Sequence, residues 1–236
     1  MKLSPRLQQV ADLVDSNQIL LDIGSDHAYL PIHLVLNQKI TKAIAGEVSE
    51  GPLANAIKAV RANDLEQVIS CRLGSGFNVF SDEQSEEVNQ IGTVTICGMG
   101  GELIRSILAD GFNKQLLNEQ AVLILQPNIG EKTLRQWLMD HSYEIIDEKM
   151  IQEVNRFYPI IKAVKRQQPT TYTDLELMYG PLLLKEPNQA VINKYQEDKK
   201  HLRSILSQLN HDHPKYQMFE QKINELSEVL NHYESR

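Results

Sequence analysis

The sequence predicts an α/β protein: a mostly parallel sheet with helices on both faces, followed by an antiparallel helical hairpin. Three observations carry this reading. Short β-rich apolar runs alternate with stretches whose apolar residues recur at the helical period. The first such run leads straight into a glycine turn, and the second ends on an acid. Past Pro169 the strand-like runs stop, and two seams with spacings of three and four residues replace them.

Taken in order, Pro5 to Val14 forms a leading helix, with Ser4 as its N-cap and Pro5 in the first turn, where a missing N–H costs nothing. Ile19–Ile23 is the first strand, and a short helix follows the turn at Gly24. Further strands fall at Ala43–Ala45, Val68–Leu73, Val94–Cys97 and Val122–Gln126, and more weakly at Glu144–Ile146 and Tyr158–Val164. The helical stretches between them are Ala54–Val60, Leu103–Leu108 and Glu131–Met139. After Gln167-Gln168-Pro169, Gly180-Pro181 and Pro187 punctuate a short connector. One seam then runs through Ile192, Tyr195, Lys199, Leu202, Leu206 and Leu209, and a second through Tyr216, Phe219, Ile223, Leu226, Leu230 and Tyr233. Asn210-His211-Asp212-His213-Pro214 separates them, which makes a coiled-coil-like hairpin. Helices this short rarely hold alone, so the hairpin must pack on the sheet, on a second copy or on a ligand. The expected division is residues 1–168 for the sheet domain and 169–236 for connector and hairpin.

Composition narrows the function classes. At 236 residues the chain has room for one α/β domain and a small appendage. The N-terminus lacks the apolar core of a signal peptide, and no apolar run approaches a membrane span. Cys71 and Cys97 sit in separate predicted strands and read as reduced thiols, so a cytoplasmic protein without membrane association is expected, as a monomer or weak dimer. A net charge of -7 argues against binding nucleic acid by bulk electrostatics but leaves room for a local basic patch. His211 and His213 lack further Cys or His at ligand spacing, so no metal is expected.

The chemistry concentrates after the strands. Counting G-x-G-x-x-G from Gly24, the second and third glycines are replaced by Asp26 and Tyr29. Asp26 would set a negative charge where a dinucleotide places its pyrophosphate, so NAD and FAD fit poorly. A cationic ligand with an amino-acid end and an adenosine end fits better, and S-adenosylmethionine is that ligand. Asp22 can orient the loop backbone and meet an ammonium, Gly24 allows close approach, and Asp26 offers a second carboxylate. Glu47 stands 23 residues past Gly24, near the roughly 20 expected of an acid that grips ribose hydroxyls. Ser75, within Gly74-Ser75-Gly76, could reach the adenine edge. Gly98-Met99-Gly100-Gly101 leaves backbone amides bare beside the ligand, with Cys97 just before it. Gln126-Pro127-Asn128 could hydrogen-bond a base edge. Arg105, Lys132 and Arg135 could meet phosphates, as could Lys199, Lys200 and Arg203 on the tail.

These strings together resemble a known family, the bacterial tRNA (adenine-N1)-methyltransferases acting on position 22. The resemblance rests on Asp22-Ile23-Gly24-Ser25-Asp26-His27-Ala28-Tyr29-Leu30-Pro31, Ala45-Gly46-Glu47-Val48 with Gly51-Pro52, Gly98-Met99-Gly100-Gly101, and Leu125-Gln126-Pro127-Asn128 with Glu131 and Leu134-Arg135. It spans the whole chain. It implies a seven-stranded Rossmann-like methyltransferase domain, S-adenosylmethionine as donor and tRNA as acceptor. His27, Val48 and Gly76 would join the cofactor contacts, and Asp26, His27, Tyr29, Gly98 and Met99 would shape the site where the base is held. One departure is Gly74-Ser75-Gly76, where many methyltransferases carry an acid. The chain also lacks the Asn-Pro-Pro-Tyr string of amino-group methylases and a Cys-bearing loop for carbon methylation. Adenine N1 carries an in-plane lone pair, so alignment suffices. Other acceptors, or a non-catalytic module that kept the fold, are the competing expectations.

Overall fold

The computed structural model describes residues 2–80 and 85–234. Its elements are α1 (Pro5–Leu13), β1 (Gln18–Ile23), α2 (Tyr29–Leu36), β2 (Ile40–Glu47), α3 (Glu50–Arg61), β3 (Ile69–Leu73), a 3-10 turn (Gly76–Val79), α4 (Ser85–Val88), β4 (Ile91–Met99), α5 (Gly101–Asn113), β5 (Val122–Pro127), α6 (Glu131–Asp140), β6 (Tyr143–Glu153), β7 (Arg156–Lys165), α7 (Asp174–Tyr179), α8 (Pro181–Lys185), α9 (Gln189–Leu206) and α10 (Tyr216–Glu234). The Ser4 hydroxyl accepts from Leu7 N at the start of α1, as its N-cap position predicts.

Among the described residues the seven strands form one sheet, in the order β3-β2-β1-β4-β5-β7-β6. β1 to β5 are mutually parallel, and β7 runs antiparallel to both of its neighbours. The order reverses between β1 and β4, so the crevice for a ligand opens at their carboxyl ends. Strand period 2 divides the core in two. Leu21, Ile23, Ile44, Leu123 and Leu125 face one side with Ile104, Leu108, Leu134 and Trp137. Leu20, Ala43, Ala45 and Ile124 face the other with Val10, Ile32, Ala56 and Val60.

β6 and β7 extend well beyond the short runs expected from sequence. They pair from Tyr143↔Lys165 to Glu153↔Arg156, with an irregularity between Ile145 and Asp147, and turn at Val154, which has φ 57°. The outer half of this ribbon lacks a clean alternation of apolar and polar residues, and Pro159 interrupts it, so its strand signal is weak. It nevertheless carries the hairpin: Met150 of β6 packs with Leu183, Val191, Tyr195, Leu226, Val229 and Leu230. The expected connector contains α7, closed by a capping box between Thr173 and Glu176, and α8. Within the hairpin, burial deepens toward the sheet. Tyr195, Ile223, Leu226 and Leu230 are buried, whereas Leu206, Leu209, Tyr216 and Phe219 stay half-buried. Val191 and Val229, outside the expected seams, are buried against the ribbon instead.

Candidate active site

At the carboxyl ends of β1, β2 and β4 lies a cavity of about 440 Å³, lined among others by Asp22, Gly24, Asp26, Tyr29, Glu47 and Met99. The loop after β1 is shaped by three left-handed residues, Gly24 (φ 73°), Asp26 (φ 55°) and Ala28 (φ 53°). Asp tolerates that conformation better than most residues. Gly24 N and Ser25 N both donate to Gly46 O, at 2.9 and 3.2 Å, which ties the loop to the end of β2. The positive φ favours glycine at Gly24, and a Cβ there would fall 2.2 Å from Met99 Cε, so the Met99 side chain would have to shift.

Asp22 is only 4% exposed. Ser25 Oγ donates to its Oδ2 and Thr95 Oγ1 to its Oδ1, each at 2.6 Å. Burial raises its carboxyl above the usual range, the two hydroxyls pull it back, and the nearby Glu47 charge raises it further. Glu47 is also buried, and its Oε1 accepts from Asp26 N. Its Oε2 has no hydrogen bond among the described residues. Tyr29 is 42% exposed at the mouth and stacks on His27 with centroids 5.0 Å apart. His27 thus supports the rim without lining the cavity.

The opposite wall is two loops joined together. Gly98 N donates to Gln126 Oε1 at 3.0 Å, Asn128 N to Met99 O at 2.7 Å, Asn128 Nδ2 to Gly98 O at 2.7 Å, and Gly101 N to Ile129 O at 2.7 Å. A Cβ on Gly101 would sit 2.2 Å from Gly130 O, so this closure needs glycine. Cys97 lines the cavity as well, and burial pushes its thiol up, away from the reactive thiolate.

The other expected residues lie apart from the cavity or are engaged elsewhere, and Arg135 is the clearest correction. Arg135 is 1% exposed: its Nε donates to Glu148 Oε1 at 2.8 Å and its Nη1 to Leu177 O at 3.0 Å, so it cannot meet phosphates. Ser75 and Gly76 do not line the cavity. Ser75 is exposed and precedes a 3-10 turn, with no capping bond from its side chain. Val48 is 70% exposed and outside the lining. Gln126 is fully buried, and its amide is consumed by Arg6, Gly98, Pro127 and Asn128, leaving nothing for a base edge. Arg105 pairs with Glu102 and Lys132 with Asp174 at the surface. His211 packs on Tyr216, and His213 Nδ1 accepts from Lys215 N. Sequence reasoning missed Arg6, Ser25 and Thr95. Thr95 reaches Asp22 only once β1 and β4 pair, whereas Ser25 lies three residues further along the same loop.

A protein-family model described as tRNA (adenine(22)-N(1))-methyltransferase matches residues 20–232. The chain belongs to that family. A tRNA (adenine(22)-N(1))-methyltransferase of Bacillus subtilis is 37% identical over 234 residues, covering 98% of this chain and 94% of that protein. A Streptococcus pneumoniae structure solved in complex with S-adenosyl-L-methionine superposes with a TM-score of 0.86 at 39% identity, over 97% of this chain and 100% of the other. The structure of M. capricolum TrmK in complex with S-adenosyl-homocysteine gives a TM-score of 0.86 at 32% identity, over 98% of this chain and 99% of the other.

Proposed function

We propose that this chain transfers a methyl group from S-adenosylmethionine to N1 of adenine 22 in tRNA, in the cytoplasm. The observation that carries the reading is the acidic cavity at the sheet's switch point, with Glu47 presenting a free carboxylate oxygen beside the glycine-floored loop. The donor set suits the cofactor. Glu47 Oε2 can take both ribose hydroxyls, and Asp22 and Asp26 present negative charge to the methionyl ammonium. When bound, S-adenosylmethionine supplies an electrophilic methyl on a sulfonium.

What remains for the protein is alignment. The base must leave the folded tRNA, which costs a few kcal/mol that contacts elsewhere offset. Tyr29, backed by His27, offers it a stacking face at the cavity mouth. Gly98 and Met99 border the space where N1 must approach. N1 attacks through its in-plane lone pair, forming the N–CH₃ bond as the S–CH₃ bond breaks, and no proton is removed in that step.

Residues 169–236 then serve tRNA engagement. Lys199, Lys200 and Arg203 line a cavity of about 290 Å³ on the hairpin with Gln196, Leu230 and Asn231. This is a concentrated cationic patch on a protein whose net charge is -7. Arg105 and Lys132 can add phosphate contacts if their exposed pairs exchange partners, at little cost.

The decisive experiment is methyl transfer from labelled S-adenosylmethionine to tRNA, with the nucleoside identified by mass spectrometry. N1-methyladenosine at position 22 is expected, and it should vanish when that adenine is replaced. Methylation at another base or position would overturn the reading. Reversing charge at Lys199, Lys200 and Arg203 should raise the KM for tRNA and flatten its salt dependence, with cofactor affinity unchanged.

A further inference from the structure

An adenine drawn out of a folded tRNA leaves a gap in the base stack, and that gap is costly unless an apolar group fills it. The tip of the β6–β7 ribbon carries such a group. Val154 is 87% exposed, the most of any large apolar side chain among the described residues. It is also the one β-branched residue among them with a positive φ, 57°, at the first of the two residues that link Glu153 to Arg156. Glycine or asparagine would relieve that conformation, whereas valine strains it. Neither the turn nor the core accounts for a valine at this point.

The tip is placed beside the site and held there. Leu125 of β5 pairs with Ile161 of β7, so their antiparallel register sets Pro127, where β5 ends, level with Pro159. Residues 154–158 therefore project past the carboxyl edge of the sheet, where the cavity at β1, β2 and β4 opens. At about 3.3 Å per residue, Val154 stands roughly 17 Å beyond that edge. Two amides brace the ribbon near its end: Asn188 Nδ2 donates to Met150 O at 2.9 Å, and Asn193 Nδ2 to Gln152 Oε1 at 3.1 Å. Between the ribbon and the loop after β5 lies a second cavity, of about 340 Å³, with Asn128, Ile129, Arg156 and Tyr158 in its walls. It adjoins the first cavity, because Asn128 N donates to Met99 O at 2.7 Å. Arg156 is exposed and has no ion pair among the described residues, so its charge is open to a phosphate. On the α9 side of this second cavity Lys194 is spent on Asp198, and Glu197 would repel a phosphate. An RNA backbone is thereby directed to the ribbon.

Resting on the tRNA methylation reading above, we propose that Val154 is a wedge that enters the tRNA beside the target adenine and fills the space it vacates, while Arg156 holds a neighbouring phosphate. The wedge acts from outside the cavity, and Tyr29 meets the base at its mouth. Val154 is thus a positioning residue: it changes where the base lies, not how the methyl moves.

A tRNA carrying fluorescent 2-aminopurine at position 22, bound to protein and S-adenosylhomocysteine, reads base extrusion without turnover. Saturating wild-type protein should brighten the probe several-fold. Val154→Gly should bind the tRNA but leave it dim, and Val154→Leu should keep most of the signal. Glycine suits the backbone here, so the variant should resist urea at least as well as wild type. Its kcat/KM on intact tRNA should fall roughly 10- to 100-fold, the scale of an unassisted extrusion. The defect should shrink on tRNA with an abasic site facing the target, where less stacking must be broken. Arg156→Gln should lower the salt slope of tRNA binding by about 1. A Val154→Gly protein that brightens the probe and methylates intact tRNA as wild type does would overturn the wedge. So would equal losses on the two tRNAs, which would mark a structural role. Wild-type protein that methylates neither tRNA would instead overturn the acceptor assignment itself.

Discussion

Asp22 and Glu148 are both nearly sealed from solvent, at 4% and 5% exposure, yet the fold treats them in opposite ways. Asp22, at the cavity, is met by two neutral hydroxyls, so its negative charge is solvated but not cancelled. Glu148, beneath the connector, is met by a guanidinium and by the backbone of Leu182 at 3.0 Å. The Arg135 partner also bonds the carbonyls of Leu177 and Met178, so the pair fastens α7 and α8 to α6 and β6. A charge left uncancelled at a cavity wall remains available to a cationic ligand. A charge cancelled in the interior acts as a clip. The difference separates the cavity wall from the part of the molecule that holds the hairpin in place.

The largest test removes half the clip. Arg135→Met should cost about 3–5 kcal/mol in urea melts, because Glu148 is left buried and unpaired. Adding Glu148→Leu should recover most of the loss, since a well-packed apolar pair often replaces a buried ion pair without penalty. A double variant as unstable as the single one would mean that the connector depends on the charges themselves.

Gly180→Ala probes the same clip from the backbone. Gly180 has φ 95°, and a Cβ there would lie 2.8 Å from Glu148 Oε2 and 3.0 Å from Arg135 Nη2. A loss of about 1–3 kcal/mol is expected from the backbone strain alone. Near-wild-type melting would show that the pair has room to move.

At the cavity, Thr95→Val removes one of the two hydroxyls on Asp22 and should cost about 1–3 kcal/mol. It should also weaken cofactor binding, whereas Arg135→Met should leave the affinity of the folded fraction unchanged. Loss of cofactor affinity in both would erase the distinction between the two regions.

The smallest effect is a slope. The folded Asp22 carboxyl titrates above its unfolded value, so the folded state holds that proton more tightly. Its contribution to stability is complete below the unfolded value near 4 and is lost as pH rises through the raised folded one. Relative to Asp22→Asn, wild-type stability should therefore fall as pH increases across that window. Parallel urea titrations from pH 4 to 7 measure the difference, and parallel curves would show that Asp22 titrates normally.

Much of the cavity was legible in the sequence, because it is written in local chemistry. A β-rich run ending in Asp22-Ile23-Gly24, an acid closing the second strand and glycines after the fourth carry their meaning within a few residues. Chain spacing also gave the hairpin, since a repeating seam is a one-dimensional signal. Other features were decided by tertiary structure. Arg135 looked like a surface cation on an amphipathic helix, and its partner lies 13 residues away on another element. The ribbon of β6 and β7 was underestimated because its outer half does not alternate cleanly and is covered by the hairpin only after folding. Arg6 sits at an unremarkable place in the first helix, 120 residues from the Gln126 that accepts its hydrogen bond. Periodicity and turn chemistry are properties of neighbours in the chain. Whether a charge ends up solvated, cancelled or facing a cavity depends on neighbours in space, and those exist only once the sheet has brought distant strands together.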